Sequence, residues 1–201
     1  SYGAKHICPN LLSKTVYGLT EPNREKIRDS TIVANPGCYP TAAIISLFPL
    51  LKEKLIEEKN IIIDAKSGYS GAGRVNLKSG LEERINDNFI PYNIYKHRHT
   101  PEITQELNKA SDLNVKITFT PHVLPIYRGI LETIYVDLKN NISINEILNI
   151  YKNYHQGLWK SSYAAYSGIT DPSNIVIDYN VKRVRIIQIK INEHIYDKSK
   201  I

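Results

Sequence analysis

The chain has 201 residues, of which 42% are hydrophobic and 23% charged, and these proportions are typical of a globular domain and exclude a disordered or collagen-like chain. No segment approaches the roughly 20 apolar residues that a membrane-spanning helix needs, and two cysteines cannot form a disulfide framework, so we expect a cytoplasmic protein without a membrane partner. The formal net charge is +6. Because the basic residues are spread along the chain, they indicate a solvated surface rather than nucleic-acid binding. A positive field of this kind also suits a small anionic substrate.

The first part of the chain predicts two short elements and then a long apolar helix. Residues 22–29 begin with a proline, which the first turn of a helix tolerates, and residues 31–34 predict a strand because they include β-branched side chains. The apolar run over residues 42–56 predicts a helix that Pro49 kinks or ends. The side chains expected on its buried face are Ile44, Ile45, Leu47, Phe48 and Leu51.

The rest of the chain alternates strands and helices. Residues 61–66 predict a strand, and a helix is expected from Thr100, a natural N-cap before Pro101, to about residue 110. Strands are expected over residues 115–120, 129–138 and 181–191, and a helix over residues 142–154. We expect the strands over 115–120 and 129–138 to be antiparallel neighbours. The fold class is therefore α+β, with a mixed, largely antiparallel sheet and helices packed on it.

Cys38 has the surroundings that most suggest chemistry. It follows a predicted strand, lies in an Asn-Pro-Gly-Cys turn and directly precedes the apolar helix. Unpaired N–H groups and the dipole at a helix N-terminus stabilise a thiolate, and the same N–H groups can bind an oxyanion. A small buried apolar cysteine is the alternative interpretation of the same position. Cys8 has no such setting.

A nucleophilic cysteine needs a proton acceptor, which is usually a histidine. His97 and His99 lie just before a predicted helix, close to Glu102, and are candidates for this role; a pair of surface histidines is the alternative, because the sequence does not show that this segment meets Cys38. No further cluster at ligand spacing accompanies them, so we expect no metal.

The segment 67–74 has three glycines among eight residues and ends in Arg74. Such a loop can bring backbone N–H groups to an anion, or it can be a flexible hairpin, and it matches neither dinucleotide-binding fingerprint. Arg128, between Pro125 and Gly129, either reaches the same anion or forms a structural ion pair.

Together these segments resemble one family, the N-acetyl-gamma-glutamyl-phosphate reductases of arginine biosynthesis. The matching motifs are ANPGCYPTA at 34–42, DAKSGYSGAGR at 64–74, HRHTPEI at 97–103 and FTPHVLPIYRGI at 119–130, with a lead-in of VYGL at 16–19 and NRE at 23–25. The four motifs occur in the family's order and spacing over roughly residues 1–138. Any one of them alone would be weak, whereas the four together are specific.

The resemblance implies an NADP-dependent enzyme that reduces an acyl phosphate to an aldehyde. Cys38 matches the family nucleophile, which forms a thioester that hydride then reduces, and His97 matches the expected general acid/base, with His99 as its alternative. The residues expected beside the cofactor are Ser67, Gly68, Gly71 and Gly73. The residues expected to anchor the substrate are Arg74, His99, Glu102 and Arg128. A homo-oligomer, either a dimer or a tetramer, is also implied.

The resemblance also predicts how the chain is divided. Residues 1–35 are expected to be the tail of a Rossmann domain that is otherwise mostly absent, residues 36–191 a catalytic and oligomerisation domain like that of glyceraldehyde-3-phosphate dehydrogenase, and residues 192–201 a tail. A chain of this length that begins with Ser and has no Met is expected to be a fragment of such an enzyme. Three alternatives remain open: a carrier-linked aminoadipyl-phosphate reductase of lysine biosynthesis, a Cys/His hydrolase or acyltransferase, and a non-catalytic basic domain.

Overall fold

The computed structural model describes residues 5–73, 80–154, 175–178 and 183–190. Near the start of this part, a 3-10 helix at Pro9–Lys14 is followed by strand β1 (Thr15–Tyr17), helix α1 (Thr20–Arg28) and strand β2 (Ile32–Ala34). β1 and β2 pair in parallel to form a small sheet of their own. The helix predicted over 22–29 and the strand predicted over 31–34 are both confirmed, with the helix beginning two residues earlier.

A second sheet of six strands forms the centre of the fold. Its order is β4 (Ile90–Pro91), β5 (Ile117–Leu124), β3 (Ile61–Gly68), β6 (Ile130–Asp137), β8 (Arg183–Lys190) and β7 (Ile175–Asp178). Only the β3–β5 pairing is parallel among these described strands. The predicted mixed, largely antiparallel sheet is confirmed.

One expected pairing in this sheet is wrong. β5 and β6 are not neighbours, because β3 lies between them, parallel to β5 and antiparallel to β6. The connection from β5 to β6 crosses the end of β3, where the backbone of Tyr127 and Arg128 lies so close to Gly68 that a Cβ there would be 2.7 Å away. The absence of a side chain at Gly68 is what allows the chain to skip a strand with so short a loop.

Three helices bury the core of the molecule with this sheet. Helix α2 (Cys38–Lys52) contacts β6 and β8 of the sheet and also packs against helices α4 (His99–Ser111) and α5 (Ile144–Tyr154). The alternating burial of β3 and β6 matches one covered face and one more exposed face. A short helix, α3 (Leu81–Arg84), precedes β4. None of the described helices is both long and apolar enough to cross a bilayer.

The long helix differs from its predicted bounds at both ends. It begins at Cys38 rather than at residue 42, continues through Pro49 and ends at Lys52 rather than at residue 56. Its predicted inner side chains are buried, except that Phe48 is only half-buried against Tyr154. α4 likewise begins at His99, so Thr100 is not its N-cap, and Thr100, Pro101 and Glu102 lie in its first turn.

Candidate active site

Cys38 is the first residue of α2, where the N–H groups of a helix have no partner within the helix. Gly37 is the N-cap and has an extended backbone conformation. The Gly37 carbonyl accepts two hydrogen bonds from Thr41, one from its backbone N–H at 3.0 Å and one from its side-chain hydroxyl at 2.8 Å. The half-buried thiol therefore lies at the positive end of the helix dipole. This setting, which the sequence predicts, favours a reactive thiolate.

Glu102 holds the turn that precedes Cys38. Its Oε1 accepts a hydrogen bond from the N–H of Gly37 at 2.8 Å and another from the hydroxyl of Tyr17 at 2.8 Å. The carboxylate therefore joins the first turn of α4 to the first turn of α2 and to β1. The family resemblance implies a substrate-anchoring role for Glu102, and nothing in the sequence indicates these contacts with Gly37 and Tyr17.

His97 and His99 are brought to the same turn. Both side chains are buried, at 7% and 4% exposure, and their ring centroids lie 4.7 Å apart. The ring of His99 packs so closely on Gly37 that a Cβ at that glycine would lie 2.6 Å from Nε2. The backbone N–H of His99 donates to Nδ1 of His97 at 3.2 Å, so the proton of a neutral His97 lies on Nε2.

Both imidazoles are neutral at pH 7. Burial, followed by repulsion from a protonated His99 and from Arg98, lowers the pKa of His97 to about 4. Burial and Arg98 lower the pKa of His99 to about 4 as well. A neutral imidazole beside a thiol can accept its proton, and afterwards it can donate that proton to a developing oxyanion.

Two tyrosines complete this cluster. The hydroxyl of Tyr92 donates to that of Tyr39 at 3.4 Å, and the hydroxyl of Tyr39 donates to the carbonyl of His122 at 3.2 Å. Burial raises the pKa of both phenols, and the side chain of Ser67 opposes that rise. The ring of Tyr39 also makes T-shaped contacts with the rings of both candidate histidines, with centroids 5.9 Å apart in each pair. Sequence reasoning missed Tyr39, although its position next to Cys38 was a signal.

A cleft of about 530 Å³ opens at one side of this cluster, and its described lining includes neither Cys38 nor His99. His97 and Tyr92 line it, and so do three cationic side chains, Arg84, Lys96 and Arg98. None of its described lining residues carries a carboxylate. A cleft of this size with one sign of charge suits a small anionic ligand.

The glycine-rich segment forms one wall of the cleft. Ser67, Gly68 and Gly71 line it, whereas Gly73 is not among its described lining residues. The N–H groups of residues 68, 69 and 70 donate to the carbonyls of residues 129, 126 and 127 at 2.9, 2.9 and 3.0 Å. These three amides are therefore used to hold the β5–β6 connection, and an anion cannot share them without breaking those bonds.

Arg128, another predicted anchor, lies apart from this cluster. Arg128 is exposed, with its guanidinium 4.9 Å from the centre of the Tyr127 ring, and the described lining of the cleft does not include it. Arg74 lies outside the described residues. Among the residues that the structure describes, no group of three or more His, Cys, Asp or Glu side chains is placed to hold a metal ion.

Residues 38–178 match the family described as semialdehyde dehydrogenase, dimerisation domain. The chain is 50% identical over 156 residues to an N-acetyl-gamma-glutamyl-phosphate reductase of Pelotomaculum thermopropionicum, which covers 78% of this chain and 45% of the relative. It is 44% identical over 197 residues to the enzyme of that name from Desulforamulus reducens, covering 92% of this chain and 57% of the relative. The chain thus spans about half the length of the curated relatives that it matches.

Solved structures support the fold. The aspartate semialdehyde dehydrogenase of Francisella tularensis superposes with a TM-score of 0.65 at 13% identity, covering 89% of this chain and 66% of that one. An aspartate semialdehyde dehydrogenase II of Vibrio cholerae gives a TM-score of 0.61 at 15% identity, over 90% of this chain and 64% of that one. Taken with the family match over residues 38–178, these findings confirm the resemblance in the sequence: the chain belongs to the semialdehyde dehydrogenase family and carries its dimerisation domain.

Proposed function

We propose that this chain is the catalytic part of an enzyme that reduces N-acetyl-glutamyl 5-phosphate to N-acetyl-glutamate 5-semialdehyde with release of phosphate. The observation that carries the proposal is the packing of His99 on Gly37, directly before Cys38 at the N-terminus of α2, with its neighbour His97 lining a cleft that cationic side chains also line. The names of the relatives supply the substrate.

The first half of the reaction is acyl transfer to Cys38. A neutral imidazole accepts the thiol proton, and the thiolate sulfur attacks the acyl carbonyl carbon. As the carbon–sulfur bond forms, the oxyanion is stabilised by N–H groups in the first turn of α2. The bond to the phosphate oxygen then breaks, and the leaving phosphate stays among Arg84, Lys96 and Arg98. The product of this half is a thioester on Cys38.

The second half is reduction and release. A bound nicotinamide cofactor supplies the hydride that the thioester carbonyl carbon requires. We assign to His97, which faces the cleft, the protonation of the carbonyl oxygen. When the resulting thiohemiacetal collapses, His97 takes that proton back, the carbon–sulfur bond breaks and Cys38 returns to the thiolate.

The cofactor, which we propose to be NADP, fits the glycine wall only in part. A Cβ at Gly71 would meet nothing nearer than Ser67 Oγ at 3.8 Å, so this stretch leaves room for a flat ring beside the cleft. Ser67, Gly68, Gly71 and Gly73 would thus border the nicotinamide end. The sequence contains no G-x-G-x-x-G turn for the rest of the dinucleotide. Residues 1–35 are accordingly proposed as the tail of the nucleotide-binding domain, 36–191 as the catalytic domain and 192–201 as a tail.

The assembly we propose is a cytoplasmic homo-oligomer, a dimer or a tetramer. The family description, which names a dimerisation domain, supports it. The more exposed face of the six-stranded sheet, which carries the exposed Ile62, offers a surface for it. Arg74 and Arg128 are kept as proposed substrate anchors, together with His99.

The reaction is tested in the reverse direction with the full-length protein. Purified enzyme is mixed with phosphate, NADP and N-acetyl-glutamate semialdehyde, and NADPH formation is followed by its absorbance. Cys38→Ser is expected to abolish NADPH formation while the circular dichroism stays unchanged, because a hydroxyl is a poor nucleophile here. Cys8→Ser, at an exposed cysteine, is the matched control and should be fully active. Normal turnover by a folded Cys38→Ser variant would refute the covalent mechanism.

A second measurement assigns the acid/base. His97→Ala should lower kcat by about 10²-fold or more, because proton transfer by a positioned side chain contributes about 10²–10⁴-fold. If His99→Ala is the more damaging substitution, the assignment of His97 is wrong and His99, which contacts the Cys38 turn, takes the role.

The same preparation separates the alternative activities. If the enzyme reduces a carrier-linked aminoadipyl phosphate faster than N-acetyl-glutamyl phosphate, it is the reductase of lysine biosynthesis instead. Release of phosphate from the acyl phosphate without NADPH consumption would indicate a hydrolase.

A further inference from the structure

The carboxylate of Glu102 is the point where three distant parts of the chain meet. Its Oε1 accepts the N–H of Gly37 and the hydroxyl of Tyr17, each at 2.8 Å. Gly37 is the N-cap of the helix that begins with Cys38, and Tyr17 is the last residue of β1. A single oxygen atom therefore links the turn that carries the nucleophile to the end of strand β1 in the small two-stranded sheet.

This geometry does not match that of a substrate anchor. The cleft is lined by the cationic side chains of Arg84, Lys96 and Arg98, which suit the anionic groups of the proposed substrate. The proposed substrate carries a phosphate and a carboxylate, which a carboxylate side chain repels. One of its two oxygens, Oε1, already accepts two hydrogen bonds from donors within the chain.

We propose that Glu102 is a positioning residue, which acts through Gly37 to fix the first turn of α2 and hence the direction of the Cys38 sulfur. Through Tyr17, it also holds that turn in place relative to β1, which belongs to the segment that we assign to the cofactor-binding side. The inference rests on the proposed function, since it gives Glu102 a part in that reaction. A misplacement of reacting atoms by about 1 Å can lower a rate by about 10²-fold.

The test compares three variants of the full-length protein. Glu102→Ala removes the acceptor, Glu102→Gln keeps an amide oxygen that can accept both hydrogen bonds, and Tyr17→Phe removes one donor. Loss of alignment lowers kcat, so Glu102→Ala should lower kcat by about 10- to 100-fold while the KM for the acyl phosphate stays within about threefold. Glu102→Gln should keep kcat within about threefold of the wild type, and Tyr17→Phe should lower kcat a few-fold without a change in KM.

A second readout needs neither substrate nor cofactor. The rate of alkylation of Cys38 by iodoacetamide is measured from pH 6 to pH 10 in a Cys8→Ser background. Glu102→Ala should change the rate and its pH midpoint, and Glu102→Gln should restore both. Glu146→Ala is the matched control: its Oε2 accepts the N–H of Ser143 at 2.8 Å at the start of α5, so it loses a similar contact at another helix and should leave the alkylation of Cys38 unchanged.

The outcomes distinguish this inference from the proposed function. If Glu102→Ala raises KM by tenfold or more at an unchanged kcat, or leaves both kcat and the alkylation profile of Cys38 unchanged, the positioning role is refuted. If the wild type reduces no acyl phosphate, the proposed function fails while the alkylation profiles still decide the role of Glu102. If Glu102→Ala does not fold, Tyr17→Phe decides: an unchanged kcat together with an unchanged alkylation profile of Cys38 refutes the positioning role.

Discussion

Gly37→Ala places a methyl group at the closest contact of the site. The added Cβ would lie 2.6 Å from Nε2 and 2.9 Å from Cδ2 of His99, and 3.0 Å from Cδ of Pro40. Carbon atoms pack at about 3.5–4.0 Å, so the His99 ring and the turn must separate by about 1 Å. The backbone of Gly37 has φ −64° and ψ 157°, which alanine adopts freely, so the effect is steric and not conformational.

Two magnitudes follow for this variant. Overpacking a close-packed site costs about 1–3 kcal/mol of unfolding free energy, and moving reacting groups by about 1 Å lowers a rate by about 10²-fold. We therefore expect Gly37→Ala to lower kcat/KM by about 10²-fold. Stopped-flow or steady-state NADPH formation measures the rate, and urea titration of the full-length protein measures the unfolding free energy.

Two controls locate the cause of the loss. Gly71→Ala adds a methyl that meets only Ser67 Oγ at 3.8 Å, and it should change the unfolding free energy by less than about 0.5 kcal/mol. In a His99→Ala background most of the clash is gone, so Gly37→Ala should cost much less stability than in the wild type. If Gly37→Ala lowers the unfolding free energy equally with and without the His99 ring, or leaves kcat/KM unchanged, the close packing of His99 on Gly37 is refuted.

The other predictions concern stability. Because burial lowers the pKa of His97 and His99 to about 4, the unfolded chain, in which histidine has a pKa of about 6.5, binds more protons below that pH. The contribution of the two neutral imidazoles to the unfolding free energy is therefore fully present above about pH 6.5 and is lost as the pH falls toward 4. Urea titrations at pH 7 and pH 5 measure this loss. A variant with both histidines replaced by Gln that loses the same unfolding free energy between these pH values would contradict the explanation. Tyr151→Phe removes a buried hydroxyl that donates to the carbonyl of Ser46 at 2.7 Å and should cost about 1 kcal/mol. The hydroxyl of Tyr154 donates to Glu53 at 2.6 Å at an exposed position, so Tyr154→Phe should lower the unfolding free energy by less. Equal losses of stability for the two variants in thermal unfolding would contradict this difference.

The sequence predicts local elements of this fold well and their pairing less well. β3, β6 and α5 follow from hydrophobic period alone, because each has one buried face. The strand order does not follow in the same way, since the insertion of β3 between β5 and β6 depends on a loop crossing at Gly68 that no periodicity records. The apolar pattern places the start of α2 too late, at residue 42, because the polar and turn-forming residues before it carry no hydrophobic period, whereas the helix already begins at Cys38.

The candidate site shows the same division. Cys38 could be singled out from its neighbours in sequence, because a strand, a Pro-Gly turn and an apolar helix place it at a helix N-terminus. The contact of the preceding Gly37 with His99 could not be predicted, since that contact depends on the packing of α4 against α2. The contact of Glu102 with Gly37 and Tyr17 also joins segments far apart in the chain, and sequence spacing carries no information about such a contact.

The parallel pairing of β3 with β5 has a consequence for how the site forms. A parallel pair needs a long crossover connection, and the crossover between these strands contains α4 with the two buried histidines. Contacts of such high sequence separation form late in folding, because loop-closure entropy must first be overcome. We therefore expect Cys38 to meet its candidate proton acceptor only after β3 and β5 have paired. Before that pairing Cys38 lacks a neighbouring proton acceptor, so we expect its thiol to react more slowly with acylating and oxidising agents than it does in the folded chain.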